Sequence, residues 1–508
     1  MMEKMIMEKQ QTKGPSEAEI QEQLRIFKAG IPFVHIVEAA SINNGVEQYS
    51  KSEQEEFVRF FEAEKHQLNL VKFVPASGAA TRMFRDLHQF LADFDPDVDA
   101  IDQFLEEEEN SGLKIFFGSI ENFAFYNQVI EGLETKYPDY DSYGKGKRYW
   151  LFVCEMLDEN GLDFGNTPKG LIPFHKYDTD YRTAFDEQLY EGAYYAKSNG
   201  IANLHFTVSE DHLEKFQQRF DDIADRIASE TNTKFNVSYS FQKKETDTVA
   251  VTLNNELFLD ENGNPVFRPS GHGALLGNLN DIDADVIFIK NIDNVVSKNH
   301  VDEIAFQKKV LAGRLVSLQQ KIFNYIEELQ QENHSESLIN EIAEFIKKEL
   351  EIPLTTFSKE TLLKILNRPL RVCGVVENTG EPGGGPFLIR NRSGNNFYQI
   401  VEMSQIDLNN PQQKELVDQA THFNPVDVVC GVRDYKGDKF DLMKYSDPNS
   451  GFISEKSHEG KPIKAMERPG LWNGAMAYWN TVFVEVPLIT FNPVKEVIDL
   501  LDNAHQHL

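Results

Sequence analysis

The chain has 508 residues, of which 41% are hydrophobic and 26% are charged, a composition typical of a soluble globular protein. Its length predicts about two to four structural units. With 81 acidic against 51 basic residues, the formal net charge of -30 repels nucleic acid and anionic membranes, so we expect neither as a partner. An anionic small substrate fits only where lysines, arginines, backbone N–H groups or a divalent cation gather locally.

The three cysteines predict a reducing compartment. Cys154, Cys373 and Cys430 are scattered and odd in number, which argues against a disulfide framework, and they lack the spacing of a zinc site. The first twenty residues contain no apolar core of signal-peptide length, and no later run is long and apolar enough for a membrane span. We therefore predict a cytoplasmic protein.

The predicted elements begin with a helical region over 1–70, where SEAEIQEQLRIFKAG and SEQEEFVRFFEAEKH each combine a serine cap with an apolar stripe. An α/β core follows over 71–299, interrupted by an acidic, aromatic helical insertion at about 85–165. A second helical insertion occupies 300–368, and short strands return over 369–508. Because apolar strands alternate with helices, the sequence predicts an α/β fold with a mixed, mostly parallel central sheet covered by helices.

The segment PASGAATRM, residues 75–83, is the first candidate for chemistry. It follows an apolar strand and leads into a helix, an arrangement in which unpaired N–H groups at the helix start bind anions. Its small residues would let the backbone close on a polyphosphate, and Arg82 would grip the charge. A plain strand-to-helix turn that needs small residues for packing remains the alternative.

The segment NTPKGLIPF places Lys169 just before another apolar strand. Taken alone, such a lysine is usually a solvated surface charge. Two further segments stay open between a site and a structural turn. GEPGGGP is a glycine-rich tip without a following helix start, and RPGLWNGAMAYWN combines Trp472 and Trp479 with amides that suit either a sugar pocket or a core turn.

In order along the chain, these motifs resemble those of a known superfamily. PASGAATRM is similar to the L-A-G-G-x-G-T-R-M/L signature, and PKGLIPF to the P-K-x-L-x-P signature, of nucleotidyltransferases with a glycosyltransferase-A-like fold. FTVSEDH, SFQ, PSGHGA, IDN, IVEMSQ and FNPVK resemble, in the same order, motifs of the UDP-N-acetylhexosamine and UDP-sugar pyrophosphorylases. The whole chain is also similar to a bacterial family described only as a domain of unknown function.

This resemblance implies a nucleotide-binding core over 71–299 and a sugar-binding side over 369–508. It implies that a nucleoside triphosphate and a sugar phosphate are the partners and that Mg2+, or another divalent cation, is the cofactor. The implied catalytic residues are Arg82, Lys169 and Lys495, and the implied metal ligand is Asp293. The implied nucleotide-binding residues are Ala76, Ser77, Gly78, Ala79, Ala80, Thr81, Gln242 and Gly271. The implied sugar-binding residues are His272, Glu402 and Thr421.

Four positions depart from the pattern of the superfamily. Ser77 and Ala80 replace glycines of the loop, where a β-carbon restricts the backbone. His272 and Thr421 replace asparagines that touch the sugar. We therefore predict a nucleotidyltransferase of the pyrophosphorylase type, with a catalytically degenerate nucleotide or nucleotide-sugar binding protein as the alternative. A carbohydrate-binding or scaffolding protein that uses the region of Trp472 and Trp479 is the third possibility.

Overall fold

The computed structural model describes residues 14–178, 180–331, 335–354, 357–380, 383–391 and 394–507, without the side chains of 425 and 426. The chain divides into two compact units, which are described separately. Unit 1 comprises Met1–Phe73, Val237–Lys290 and Phe306–Thr490. Unit 2 comprises Val74–Asn236, Asn291–Ala305 and Phe491–Leu508.

The helices of the described residues are α1 (Glu17–Ala29), α2 (Lys51–Glu64), α3 (Arg85–Asp93), α4 (Ile101–Phe104), α5 (Ser111–Gly118), α6 (Tyr126–Lys136), α7 (Lys145–Leu157), α8 (Ala184–Tyr195), α9 (Leu213–Thr231), α10 (Leu276–Asp281), α11 (Val301–Gln330), α12 (Glu336–Glu349), α13 (Lys359–Leu366) and α14 (Pro411–Asp418). α1 begins at the predicted cap Ser16, whereas the cap of α2 is Ser50, two residues before Ser52, with which the predicted segment SEQEEFVRFFEAEKH starts. Ser16 and Ser50 accept from the N3 amide and complete capping boxes with Glu19 and Glu53, which satisfies free amides at each helix start.

The strands are β1 (His35–Ala39), β2 (Ser41–Ile42), β3 (Gly45–Glu47), β4 (Leu70–Pro75), β5 (Pro173–Lys176), β6 (Tyr181–Thr183), β7 (Lys197–Ser198), β8 (Ile201–Val208), β9 (Lys234–Phe241), β10 (Thr248–Val249), β11 (Phe267–Arg268), β12 (Val286–Ile289), β13 (Leu370–Glu377), β14 (Gly385–Arg390), β15 (Asn396–Val401), β16 (His422–Gly431), β17 (Phe452–His458), β18 (Lys461–Glu467) and β19 (Asn480–Glu485).

The main sheet of unit 1 has the order β2-β3-β19-β13-β16-β12-β4. β16 runs antiparallel to both of its neighbours, and the other adjacent pairs are parallel. The predicted α/β class, with a mixed and mostly parallel sheet, is therefore confirmed. The N-terminal region adds the short strands β1, β2 and β3 between its two helices, and β1 joins β14 and β15 in a second, three-stranded sheet.

Helices cover both faces of this sheet, which explains why β12 and β13 are almost continuously apolar. On β12, Phe288 meets Phe61 of α2 edge to face, with ring centroids 6.1 Å apart. Its neighbours Ile287 and Ile289 belong instead to a buried cluster with Leu276 of α10, as alternate side chains of a strand face opposite ways.

In unit 2, the predicted first insertion is helical and contains α3 to α7. Phenylalanines fill its interior, and Phe116 is 1% exposed. The rings of Phe84 and Phe164 stack with centroids 6.2 Å apart, so the insertion begins and ends at the same place. The chain therefore leaves this unit's α/β part at Phe84 and returns to it before Lys169.

The predicted second insertion is also helical and contains α11, α12 and α13. α11 is the longest helix of the described residues, with 30 residues, and it packs on the main sheet of unit 1. A β-carbon at Gly374 of β13 would lie 3.3 Å from Leu311 Cδ1 of this helix. None of the helices in the described ranges combines the length and apolar character needed to cross a bilayer.

Candidate active site

The loop that follows β4 is an open turn of small residues. β4 is buried throughout, and the loop is anchored where the Ala76 amide donates to the Thr207 carbonyl at 2.8 Å. Ser77, Gly78, Ala79, Thr81 and Arg82 are exposed, whereas Ala80 is buried. None of these described residues has a positive φ, and a β-carbon at Gly78 would meet nothing within 4 Å. The β-carbons of Ser77 and Ala80 therefore do not strain this loop.

Lys169 is brought to this loop by backbone contacts. Its amide donates to the Gly78 carbonyl at 3.1 Å, and Ala79 forms an isolated antiparallel bridge with Pro168. The stacked Phe84 and Phe164 rings at the base of the insertion make this approach possible. Residues that are far apart in the sequence therefore lie side by side.

Asp293 lies against Lys169. Lys169 Nζ donates to Asp293 Oδ2 at 2.7 Å, and the two side chains are 15% and 18% exposed. Gln188 fixes the segment before Asp293, since its Nε2 donates to the Asn291 carbonyl at 2.8 Å. Gly170 leaves room for Ile292, whose Cγ1 would be 2.8 Å from an added β-carbon.

The C-terminal segment completes this group of contacts. Asn294 forms a bridge with Pro493, and its Oδ1 accepts from the Asn492 amide at 2.8 Å. Lys169 Nζ also donates to the Val494 carbonyl. Lys495 follows directly and is exposed, with its Nζ 6.0 Å from the centre of the Phe491 ring.

Arg82 is the unpaired cation of this group, because its guanidinium has no hydrogen bond or ion pair with any residue in the described ranges. The C-terminal segment reaches the same helix start, because the Val497 amide donates to the Met83 carbonyl at 3.1 Å. Arg85, one turn further on, is held by Asp86 and Glu496. Unit 2 thus gathers the segments of Arg82, Lys169, Asp293 and Lys495.

Among the predicted site residues that meet in unit 2, Asp293 is the one that offers a carboxylate to a divalent cation. The described residues contain no group of three or more histidine, cysteine, aspartate or glutamate side chains that could hold a metal. Asp293 nevertheless fits as a single Mg2+ ligand, since among the described residues only Lys169 contacts its carboxylate, at Oδ2. Mg2+ commonly takes one or two carboxylates and completes its shell with substrate phosphates and water.

In unit 1, Glu402 and His272 both contact the turn that contains Trp472 and Asn473. Glu402 Oε1 accepts from Asn473 Nδ2 at 2.9 Å, and burial, aided by the charge of Glu467, raises the pKa of Glu402. The neighbouring Trp472 packs on His272, with ring centroids 4.4 Å apart. The RPGLWNG half of the aromatic segment therefore lies beside two predicted sugar-binding residues.

Gly271 lies in the same unit, in the left-handed region with φ 71°. Gly273 has no room for a side chain, since a β-carbon would lie 2.4 Å from the Pro469 carbonyl oxygen. Arg468 connects this turn with the segment after Gln242, because its amide donates to Ser270 and its Nε to the Thr246 carbonyl at 2.9 Å.

Gln242 and Thr421 are occupied locally. Gln242 Nε2 donates to Asp247 Oδ1 at 3.3 Å. The Thr421 hydroxyl lies 2.8 Å from His422 Nδ1 and 3.5 Å from the Ala40 carbonyl. No hydrogen bond joins Thr421 to Glu402 or His272 within the described part of the chain. Gln242 and Thr421 therefore stay predictions as ligand contacts.

Sequence reasoning missed several residues that position these groups. Gln188 carries no motif, and a glutamine within a helix gives no signal of a distant backbone acceptor. Glu467 precedes the aromatic segment and Arg468 is its first residue, and neither carries a signal of its own. Asn473 was visible as an amide between two tryptophans, but its contact with Glu402 depends on a long-range approach.

In structure the chain is similar to the uridine diphosphate N-acetylglucosamine pyrophosphorylase of Trypanosoma brucei, with 10% identity, a TM-score of 0.48, and coverage of 95% of this chain and 74% of that one. It is also similar to a UDP-glucose pyrophosphorylase mutant of Leishmania major in complex with UDP-glucose, with 12% identity, a TM-score of 0.44, and coverage of 96% and 75%.

No curated protein sequence matches the chain. The match to a protein family, in contrast, covers almost every residue, from 3 to 506. The chain therefore belongs to the family described as a domain of unknown function, DUF4301.

Proposed function

We propose that this protein transfers a nucleotidyl group from a nucleoside triphosphate to a sugar phosphate and releases pyrophosphate. The observation that supports the proposal most directly is the meeting of four distant segments in unit 2. The Gly78 loop contacts Lys169, Lys169 contacts Asp293 and Val494, and Lys495 follows Val494. These are the segments that carry the motifs similar to those of the nucleotidyltransferases.

The charges suit a polyphosphate. In a protein of net charge -30, an anionic substrate requires a local excess of cations. Arg82 is exposed beside a loop of small residues, and its guanidinium has no partner among the described residues. It is therefore available for the bidentate contact that arginine makes with phosphate. Lys169 and Lys495 add charge along the same group of segments.

The reaction needs positioning and charge neutralisation more than an acid or a base. An oxygen of the sugar phosphate attacks the α-phosphorus and forms a new P–O bond. The α–β anhydride bond breaks, and pyrophosphate leaves with that electron pair. Asp293 would hold the divalent cation, which would neutralise phosphate charge when bound. Arg82, Lys169 and Lys495 would hold the phosphates against one another.

The predicted nucleoside and sugar contacts belong to unit 1. Gln242 and Gly271 are proposed to face the base, and Glu402, with His272 and Thr421, to face the sugar. Glu402 offers an acceptor that is already oriented by Asn473. A carboxylate held in this way suits a sugar hydroxyl, since hydrogen bonds to charged groups are the strong ones.

The test is to incubate the protein with each of the four ribonucleoside triphosphates, Mg2+ and a panel of sugar 1-phosphates, and to measure pyrophosphate. We expect release with one combination, and its loss in Arg82→Ala and Asp293→Asn. Arg85→Ala is the matched control, because Arg85 lies on the adjacent helix and is already paired with Asp86 and Glu496.

Two outcomes would overturn the proposal. Pyrophosphate release that survives both Arg82→Ala and Asp293→Asn would show that other residues carry the reaction. An absence of turnover with every combination, together with a rise in melting temperature on adding a nucleotide, would instead support a nucleotide-binding protein without catalysis.

A further inference from the structure

A cavity of about 960 Å³ lies within unit 1 at the amino-terminal ends of the parallel strands β13 and β19. The cavity is lined by the residues just before β13 (Asn367 and Arg368), by those just before β19 (Ala477–Trp479) and by the start of β15 (Asn396–Tyr398). None of the residues predicted to contact nucleotide, sugar or metal lines it. Its volume is in the range of small-molecule sites, which is about 300–1,000 Å³.

Aromatic side chains form much of the wall. Trp479 and Tyr478 come from the second half of the aromatic segment RPGLWNGAMAYWN, whose first half lies beside Glu402. The aromatic residues of the wall are Phe397, Tyr398, Tyr435, Tyr445, Tyr478 and Trp479. Flat aromatic faces favour a ligand with a planar ring, because rings stack on one another with offset geometry.

The charge of the cavity is opposite to that of the protein. Lys364, Arg368 and Lys444 line it, and none of its described lining residues is an aspartate or glutamate, although acidic residues outnumber basic ones by 81 to 51 in the chain. Lys444 pairs with Asp441 at 3.4 Å, on the exposed side. Lys364 and Arg368 have no ion pair with any residue that the structure describes.

Arg368 is the central group. Its Nε donates to the Lys364 carbonyl at 3.0 Å, and its two terminal nitrogens have no acceptor among the described residues. Burial lowers the pKa of this guanidinium, since the charged form is poorly solvated there. A partly buried guanidinium without a carboxylate is costly unless an anion compensates it. Its free fork matches the geometry of a phosphate.

Two buried groups add to this polarity. Arg371 lies behind Thr481, a lining residue, and is fully buried; its acceptors in the described part of the chain are all neutral, among them Thr481 Oγ1 at 2.8 Å. Trp479 is 4% exposed, lines the cavity, and its indole N–H has no hydrogen-bond partner in the described structure. An uncompensated positive charge and an unused donor both favour an acceptor-rich ligand.

We propose that this cavity is a second ligand site, which takes a phosphorylated metabolite with a planar ring, of the nucleoside monophosphate or diphosphate class. Arg368 binds the phosphate in a bidentate manner, Lys364 adds charge, and the aromatic wall stacks on the ring. The site goes beyond the proposed transferase reaction and requires no metal. A ligand of similar size with a carboxylate in place of the phosphate is disfavoured, since its single negative charge would face the two cations Arg368 and Lys364.

The test is a fluorescence titration of the full chain without divalent cation, in which Trp479 reports occupancy. The probes are UMP, AMP, UDP and ADP, with uridine, adenosine and inorganic pyrophosphate as references. We expect saturable quenching by at least one nucleotide, and weaker binding by about tenfold or more for the nucleosides and for pyrophosphate. Trp479→Phe should remove the signal, while equilibrium dialysis should still detect the bound nucleotide.

Variants test whether the residues of this cavity bind the nucleotide. Arg368→Gln should weaken the nucleotide binding that Trp479 reports about tenfold or more, whereas Arg85→Ala, at an arginine that is already paired with Asp86 and Glu496, should leave it unchanged. Lys364→Gln provides the same test on an exposed residue if Arg368→Gln fails to fold. Binding that is intact in both Arg368→Gln and Lys364→Gln would overturn the proposal, as would equal affinity for pyrophosphate and nucleotide or no binding by any nucleotide.

Discussion

Lys169 Nζ donates a hydrogen bond to Asp293 Oδ2 at 2.7 Å, which joins two residues that are 124 positions apart. Both side chains are mostly buried, at 15% and 18% exposure. In the proposed reaction this pair has two tasks, since Lys169 faces the phosphates and Asp293 holds the cation. A bound triphosphate with Mg2+ would compete for both partners of the pair.

The first prediction concerns this pair. Lys169→Met and Asp293→Asn should each lower kcat by about 10²- to 10³-fold, the usual effect of removing one charge-stabilising group. The double variant should be little worse than either, because residues that act as a unit are not additive. Pyrophosphate release measures this. Fully additive losses would show that the two residues act independently.

The second prediction concerns Gly78 in the loop after β4. Because a β-carbon there meets nothing within 4 Å and φ is not positive, Gly78→Ala should change stability by no more than about 0.5 kcal/mol. If the loop wraps a polyphosphate, the added methyl should still weaken triphosphate binding, since close backbone approach is lost. Calorimetric titration with triphosphate, beside a thermal melt, checks both parts. Unchanged affinity would place the phosphates elsewhere.

The third prediction concerns Glu402. Glu402→Gln keeps the size of the side chain but removes the charged acceptor that Asn473 orients at 2.9 Å. We expect the KM for the sugar phosphate to rise about tenfold, with the affinity for the triphosphate unchanged. Glu415→Gln, on the exposed side of α14, is the control. A change in triphosphate affinity alone would contradict the assignment of Glu402 to the sugar.

The fourth prediction concerns His505, a buried residue of unit 2 whose Nδ1 lies 3.0 Å from His175 Nε2. Burial, together with His175, lowers the pKa of His505 from 6.5 to about 3. As the pH falls below 6.5, His505 becomes protonated in the unfolded chain but stays neutral in the folded chain. The contribution of the neutral His505 to the free energy of unfolding is therefore complete above pH 6.5 and is lost as the pH falls from 6.5 to about 3.

The expected slope is about 1 kcal/mol per pH unit in that window. Urea melts at several pH values, compared between the wild type and His505→Gln, measure it as a difference, because other groups titrate over the same range. The variant should lose part of the pH dependence. Parallel curves for the two proteins would rule out His505 as a contributor.

The fifth prediction concerns a buried ion pair between Lys308 of α11 and Asp427 of β16. Both side chains are almost fully buried, at 0% and 1% exposure. Asp427→Asn should cost about 3–5 kcal/mol in the free energy of unfolding, because it leaves a buried charge uncompensated. The double variant Lys308→Met with Asp427→Leu should recover most of that loss in chemical denaturation. Equal destabilisation of the single and double variants would contradict this reading.

Sequence patterns predicted the local elements well, because the physics of those elements is local. Ser16 caps α1 as predicted, the cap of α2 lies two residues before the predicted serine, and the apolar run around Phe288 is a buried strand between helices. The α/β class and the helical character of both insertions follow from the same patterns. These patterns do not specify which strands pair with one another. The antiparallel direction of β16 relative to β12 and β13 was therefore not predicted.

The amino-acid sequence by itself determined which residues could do chemistry, since a guanidinium, an amine and a carboxylate have their properties wherever they lie. Only the tertiary structure decided that Lys169 would contact both Asp293 and the Gly78 loop. The helical insertion separates the Gly78 loop from Lys169 in the chain, and the stacking of Phe84 on Phe164 brings its two ends together. The electropositive cavity around Arg368 is likewise invisible in a chain of net charge -30. Long-range packing decides which charges become neighbours, and no local pattern contains that information.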